Sequence, residues 1–254
     1  MKVLVTGATG FTGRHFSSIA RDAGYEVYPL KADLTDAAAV AEEVLQVEPD
    51  YVVHLAAIAF VAHGNVDDIY RVNIVGTRHL LHALSLLHVL PKAVLLPSSS
   101  NVYGNAKKER LDETTALQPV NDYGVSKLAM EHMARLWMDE LPIVITRPFN
   151  YTGLNQHPNF LIPKIVGHFI RKESVIELGN IEVERDYSDV RVVCDSYLKL
   201  LLTPEAIGQT VNVCSGVAYS LREIVATMEN IAGYKINVQG NPKFVRASEI
   251  KRCR

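Results

Sequence analysis

The feature that most constrains this chain is a switch of hydrophobic period that begins at residue 2 and recurs through the first half of the sequence. Short β-branched runs at Lys2–Thr6, Glu26–Leu30, Tyr51–Leu55, Ala93–Pro97 and Ile143–Arg147 alternate with segments of helical period at Gly13–Ala23, Asp36–Val47, Asp68–His88 and Tyr123–Asp139. Strands that alternate with helices predict a parallel sheet covered by helices, because each parallel connection must cross over the sheet. Pro148, Gly153, Pro158 and Pro163 then interrupt the rhythm and predict a departure into a second lobe. A helix at Val190–Leu202 and a strand at Thr210–Val213 are expected to return to the sheet, with a further amphipathic helix at Leu221–Ala232. The 254 residues therefore divide into a main unit, 1–148 with 181–214, and a smaller lobe, 149–180 with 215–254.

The first strand runs into Thr6-Gly7-Ala8-Thr9-Gly10-Phe11-Thr12-Gly13, with glycines every third residue before a helix. This spacing lets the backbone turn tightly, approach a pyrophosphate and pack the helix on the sheet, with the anion at the helix N-terminus. It predicts a dinucleotide site on a Rossmann-type, doubly wound α/β sheet. The second strand ends at Lys31, where an acid would accept a ribose 2′-hydroxyl, and Arg14 follows the third glycine. Two cations suit a 2′-phosphate, so NADP(H) is the preferred cofactor and NAD(H) the other candidate. Asp33 is read either as an adenine contact or as a helix-start residue.

Lys plus Arg number 26 against 28 Asp plus Glu, a net charge of −2, which leaves no basic footprint for nucleic acid or anionic lipid. The longest apolar run, Leu55–Ala62, is far short of the ~18 residues of a membrane span. Cys194, Cys214 and Cys253 form no CxxC pair, which fits a reducing compartment. A cytoplasmic protein is expected. His79 and His82 share a helix face, but no third ligand of suitable spacing accompanies them, so no metal is expected.

Ser98-Ser99-Ser100-Asn101-Val102-Tyr103-Gly104 places hydroxyls where a strand ends, at the sheet edge on which ligands bind in doubly wound folds. Tyr123 and Lys127 lie four residues apart, one helical turn, on one face. A phenol is a sluggish acid–base group at neutral pH, and a neighbouring ammonium is expected to favour its phenolate. The pair is read as the catalytic acid–base and its modulator.

Taken together, Gly7-x-x-Gly10-x-x-Gly13, His54-Leu55-Ala56-Ala57, Asn73 before Val75-Gly76-Thr77, the serine run before Val102-Tyr103-Gly104, Tyr123-x-x-x-Lys127 and Arg147-Pro148-Phe149-Asn150 resemble the extended short-chain dehydrogenases/reductases of the nucleotide-sugar class. The resemblance implies Ser99 as the hydroxyl beside the reacting carbon, with Tyr123 and Lys127. It implies that Gly7, Thr9, Gly10, Phe11, Thr12, Leu34, Leu55, Ala56, Ala57, Asn73 and Pro148 serve the cofactor, together with Arg14, Lys31 and Asp33. Residues 147–163 and Arg185–Val190 resemble the stretch shared by GDP-mannose 4,6-dehydratases and GDP-4-keto-6-deoxymannose reductases. On that likeness Ser100, Asn101, Asn150, Lys164, Arg171 and Arg185 are substrate candidates, Asn150 for the sugar or pyrophosphate and Arg185 for the diphosphate, while Lys164 and Arg171, on a helical face, read alternatively as solvated charges.

Dehydratases of that group carry a glutamate where Asn101 stands, and an amide cannot move the proton that elimination requires. The expected reaction is therefore NADP(H)-dependent reduction of a nucleotide-linked 4-keto-6-deoxyhexose, GDP-linked, giving a rhamnose-type or talose-type product. The alternatives are a 4-epimerase or 4,6-dehydratase with bound NAD(P), and, from another class, a non-catalytic NADP(H)-sensing protein. The family also implies a homodimer through a four-helix interface, and a further few dozen residues beyond Val245–Ile250, so the smaller lobe is expected to be incomplete.

Overall fold

A computed structural model describes residues 1–59, 65–106, 108, 110–242 and 252–253. The main unit opens with β1 (Lys2–Thr6), α1 (Phe11–Asp22), β2 (Glu26–Pro29), α2 (Ala37–Val47) and β3 (Tyr51–His54). It continues through α3 (Val66–Tyr70), a π-helical segment at Arg71–Gly76, α4 (Thr77–Ser85), β4 (Ala93–Pro97), a 3-10 turn at Ser100–Tyr103, α5 (Asp122–Arg135) and β5 (Ile143–Pro148). After β6 (Asn150–Thr152), α6 (Leu161–Ile170), β7 (Val175–Leu178) and β8 (Glu184–Asp189), the chain returns through α7 (Val190–Leu201) and β9 (Thr210–Val213).

The six-stranded sheet runs β2-β1-β3-β4-β5-β9 and is parallel throughout. The order reverses between β1 and β3, so the loops leaving their carboxyl ends diverge and open the crevice in which doubly wound sheets bind ligands. Side-chain alternation divides each strand between two cores. Leu4, Val52, Val94, Leu96, Ile143 and Ile145 face α2, α4 and α5, whereas Val3, Val5, Val53 and Leu95 face α1 and α7. Burial on both faces explains why these strands read as continuous β-branched runs rather than alternating ones.

The smaller lobe pairs β7 in parallel with β11 (Asn237–Gly240). These two strands pack with α6 and α8 (Leu221–Ala232) around Ile165, Phe169, Ile176, Leu178, Val225 and Ile236. Between the units, β8 pairs with β6, with β10 (Ala218–Ser220) and with β12 (Arg252–Cys253). The stretch 245–250 lies outside the described residues.

Two expected helices differ. The segment predicted as one helix over Asp68–His88 divides into α3, the π segment and α4. The physical reason is Asn73, whose side chain turns away from its own helix: Oδ1 accepts from the Ile58 amide, and Nδ2 donates to the Ile58 carbonyl and Ser126 Oγ. Widening to a π turn accommodates that polar side chain at a buried crossing. The helix predicted over Tyr123–Asp139 ends at Arg135 and continues as turns.

Candidate active site

The glycine turn lies directly against the loop that follows β3. Gly7 has φ +64°, and a Cβ there would fall 2.6 Å from the Ala56 amide nitrogen. At Gly13 a Cβ would fall 2.1 Å from the Gly7 carbonyl oxygen. α1 starts at Phe11 with Gly10 as N-cap, and no side chain caps it. Its first amides therefore lie at a bare backbone surface where helix polarity favours an anion. These residues fit a dinucleotide pyrophosphate, and Thr9, Gly10, Phe11 and Thr12 are the ones that would hold it.

Around this turn, Leu55, Ala56 and Ala57 follow β3, and Thr6 Oγ1 accepts from the Ala56 amide at 3.0 Å. Leu34 is buried, close against Gly76 of the π segment. Pro148 ends β5. Asp33 folds onto Thr35, accepting from its amide and hydroxyl, bonds that hold its carboxyl below the usual range. The helix-start role belongs instead to Asp36, which caps α2 through Ala38 and Ala39. Lys31 stands exposed beyond β2, its amide and that of Ala32 held by the Glu43 carboxylate. Arg14 turns to the Thr9 carbonyl at 2.7 Å and the Asn155 carbonyl at 3.5 Å, so it braces the turn against the 150s segment.

The hydroxyl centre sits where β4 meets the start of α5. Asn121 caps α5 by accepting from the Gly124 amide, which fixes the turn carrying Tyr123. Ser99 Oγ receives the Asn101 backbone amide at 3.2 Å and the Asn101 side-chain amide at 3.0 Å. Burial pushes the Tyr123 phenol above its ordinary value, the Tyr151 phenol adds to this, and the neighbouring Ser99 hydroxyl opposes it. This corrects the expectation of a phenol lowered by ammonium: Lys127 Nζ is directed to the Pro97 carbonyl at 2.7 Å, and burial brings its own pKa down to about 8.

Asn73 reaches the same helix through Ser126, and Ser100 is buried beside the centre. Asn150 begins β6 and Arg185 lies in β8, where its guanidinium donates to the Glu184 carbonyl. Lys164 donates to the Glu177 carbonyl of β7, and Arg171 pairs with Glu173 beyond α6. These two contacts lie within the smaller lobe. Of the helical histidines, His79 bonds the Leu34 carbonyl and His82 packs edge-on to Trp137.

Several groups escaped the sequence reading. Thr77 gives its proton to the Asn73 carbonyl, so it accepts from His54 Nε2–H, and His54 Nδ1 accepts from Thr6. Burial, with the Lys127 charge nearby, takes the His54 pKa down to about 3. Tyr151 joins Thr12, and Glu131 pairs with Arg147. His54, Thr77 and Arg147 stood in the motifs with no role of their own, and Glu131 lies one turn beyond Lys127.

A parallel sheet with a phosphate-type turn at one switch point, and a Ser–Tyr pair beside a buried lysine one strand away, defines the short-chain dehydrogenase/reductase class. Residues 3–214 match the NAD dependent epimerase/dehydratase family, and the chain belongs to that family. It is 36% identical over 255 residues to GDP-6-deoxy-D-talose 4-dehydrogenase of Aggregatibacter actinomycetemcomitans, covering 98% of this chain and 86% of that protein. It is 31% identical over 268 residues to GDP-6-deoxy-D-mannose reductase of Pseudomonas aeruginosa, covering 100% and 87%. Among solved structures, RMD from Pseudomonas aeruginosa complexed with NADPH superposes with a TM-score of 0.90 at 30% identity, covering 100% of this chain and 87% of that one.

Proposed function

We propose that this protein reduces the 4-keto group of a GDP-linked 4-keto-6-deoxyhexose with NADPH. The observation that carries the reading is the hydroxyl centre itself. The Ser99 hydroxyl lies close enough to the buried Tyr123 phenol to act on its pKa, and the neighbouring Asn101 contributes an amide that orients Ser99 rather than an acid that would drive elimination. When bound, NADPH supplies the hydride. Ser99 donates to the 4-keto oxygen, and Tyr123 delivers a proton to it as negative charge develops. A buried phenol that keeps its proton at neutral pH is in the state a donor requires. Lys127, directed to the Pro97 carbonyl at the same sheet edge, is the residue that would hold the nicotinamide ribose.

The choice of GDP-sugar is supported by the two relatives, whose names concern 6-deoxy-D-talose and 6-deoxy-D-mannose, sugars that differ only at C4. Preference for NADPH rests on Lys31 at the end of β2 and on the NADPH-bound neighbour. Asn150 and Arg185 are the substrate contacts on this reading, with Ser100 lining the sugar. The exposed Leu86, Val125 and Leu136 along and beyond α4 and α5 support a homodimer through those helices. Two free cysteines, Cys194 and Cys214, and the lack of any helix long and apolar enough to cross a membrane among the described residues support a cytoplasmic setting.

The test is to supply GDP-4-keto-6-deoxymannose and NADPH and follow absorbance and product. One NADPH oxidised per 6-deoxyhexose formed is expected, and NMR of the product assigns C4. A 4-epimerase would show no net oxidation, and a sensing protein would bind NADPH without turnover.

A further inference from the structure

Glu131 and Arg147 form an ion pair out of contact with water, their side chains 0% and 2% exposed. The contact is bidentate: Arg147 Nε to Glu131 Oε1 is 2.9 Å, and Nη2 to Oε2 is 2.7 Å. A buried pair of this kind gains little net stability over an apolar substitute, because desolvating both charges offsets their attraction. Its place in the fold is more informative. Glu131 lies one turn after Lys127 on α5, and both side chains are buried. Arg147 continues from the pair to Tyr103, donating to its hydroxyl at 3.0 Å and lying 5.1 Å over its ring. Tyr103 closes the 3-10 turn whose N-cap is Ser99, and its hydroxyl is anchored on Asn212 of β9 at 2.6 Å. The pair thus spans the two segments that present Lys127 and Ser99.

We propose that Glu131 and Arg147 are positioning residues of the reaction centre: the carboxylate is the counter-charge that holds the Lys127 ammonium, and the guanidinium neutralises that carboxylate while bracing the Ser99 turn against α5. This rests on the catalytic reading of Lys127 given above. These groups bear on the lysine, and Arg135, 3.8 Å from Glu131 Oε2 and partly exposed, is a second cation beside that carboxylate. His54 on β3 is buried and neutral, the Pro97 carbonyl on β4 accepts a hydrogen bond from the ammonium, and Glu131 on its own helix carries the negative charge. Burial lowers the lysine to about 8 and Glu131 opposes that fall. Removing the carboxylate while leaving Arg147 in place exposes Lys127 to an uncompensated positive charge, so deprotonation must move to lower pH. Removing both charges must move it less.

The experiment is a 15N NMR titration of the Lys127 side chain, assigned against Lys127→Met, in the wild type, Glu131→Gln and the double variant Glu131→Gln/Arg147→Met. The double variant replaces the pair with neutral side chains and guards against a single variant that fails to fold. The expected order of midpoints is wild type highest, double variant intermediate and Glu131→Gln lowest. The alkaline limb of kcat/KM for NADPH-driven reduction should shift in the same order. Where Glu131→Gln does not fold, the double variant alone must still titrate below the wild type. Folded variants whose lysine titrates as in the wild type would overturn the proposal and leave the pair as a packing element. The NMR midpoint is read without turnover, so an inactive wild type would refute the assigned reaction while leaving this inference to be decided on its own signal.

Discussion

The hydroxyls of Thr12 and Tyr151 meet at 2.9 Å across 139 residues of chain. The bond joins the glycine turn to β6, the strand that leads into the smaller lobe, and the Phe11 and Tyr151 rings stack beside it at 6.2 Å. His15 reaches the Leu154 carbonyl and Arg14 the Asn155 carbonyl, so the first turn of α1 grips the 150s segment at three places. A partly buried hydroxyl pair of this kind contributes about 1 kcal/mol. Thr12→Val and Tyr151→Phe should each lower unfolding free energy by about that amount, and the double variant by little more than either, since both remove one bond. Urea denaturation of the four proteins measures the coupling, and full additivity would contradict a shared bond.

Tyr123→Phe removes the proton donor and leaves the ring packed. Its kcat should fall by about 10²–10⁴, the usual contribution of a positioned acid. NADPH affinity, measured by fluorescence titration, should stay within about twofold, because the glycine turn and Lys31 are untouched. Turnover at the wild-type rate would remove Tyr123 from the mechanism.

On the proposed reading, cofactor choice rests with Lys31, exposed just beyond β2. Lys31→Asp should cut kcat/KM for NADPH by about tenfold or more and raise it for NADH, since a carboxylate there repels phosphate and accepts a ribose hydroxyl. The ratio of the two constants is the readout. An unchanged ratio would move the discrimination elsewhere.

Much of this was legible in the sequence because the signals are local. The strand–glycine–helix run at residues 2–22 states its own geometry, and β-branched runs buried on both faces read as strands wherever helices cover them. What escaped depends on partners distant along the chain. The π segment exists because Asn73 bonds Ile58 and Ser126, neither of which shares its helix. β7 and β11 are four residues each and pair across the whole of β8 to α8, so neither carries a pattern of its own. Lys127 and Tyr123 were singled out by spacing, but the direction of the Tyr123 shift was misread because burial, which spacing does not report, dominates it.

His54 gives the fold a defined acid limb. Its folded pKa, about 3, lies below the ~6.5 of an unfolded histidine, so between those values the unfolded chain binds the extra proton. Stability is whole above pH 6.5 and declines as pH falls through that window, with a limiting slope of about 1.4 kcal/mol per pH unit. His54→Gln, which keeps a donor and an acceptor, should be less stable at pH 7 yet lose less between pH 6.5 and 4.5. Unfolding free energies at those three pH values check the sign, and parallel losses in both proteins would show that other groups govern the limb.

Gly13 and Gly208 separate steric demand from backbone conformation. A Cβ at Gly13 would meet only backbone, 2.1 Å from the Gly7 oxygen and 2.7 Å from the Ala8 Cα, so no side-chain rotation relieves it. Gly13→Ala must push α1 away from the turn and distort the anion cradle. At Gly208 nothing lies within 4 Å, and the only penalty is φ +79°, about 1–2 kcal/mol for a residue with a Cβ. Gly208→Ala should therefore lower Tm by several degrees and leave NADPH affinity unchanged. Gly13→Ala should lower Tm further and weaken NADPH binding by more than tenfold. Thermal melts with and without NADPH distinguish the two, because only a protein whose cradle is intact gains Tm on adding the nucleotide. A Gly13→Ala protein that gained as much as Gly208→Ala would show that the close approach of α1 to the turn is not what the dinucleotide requires.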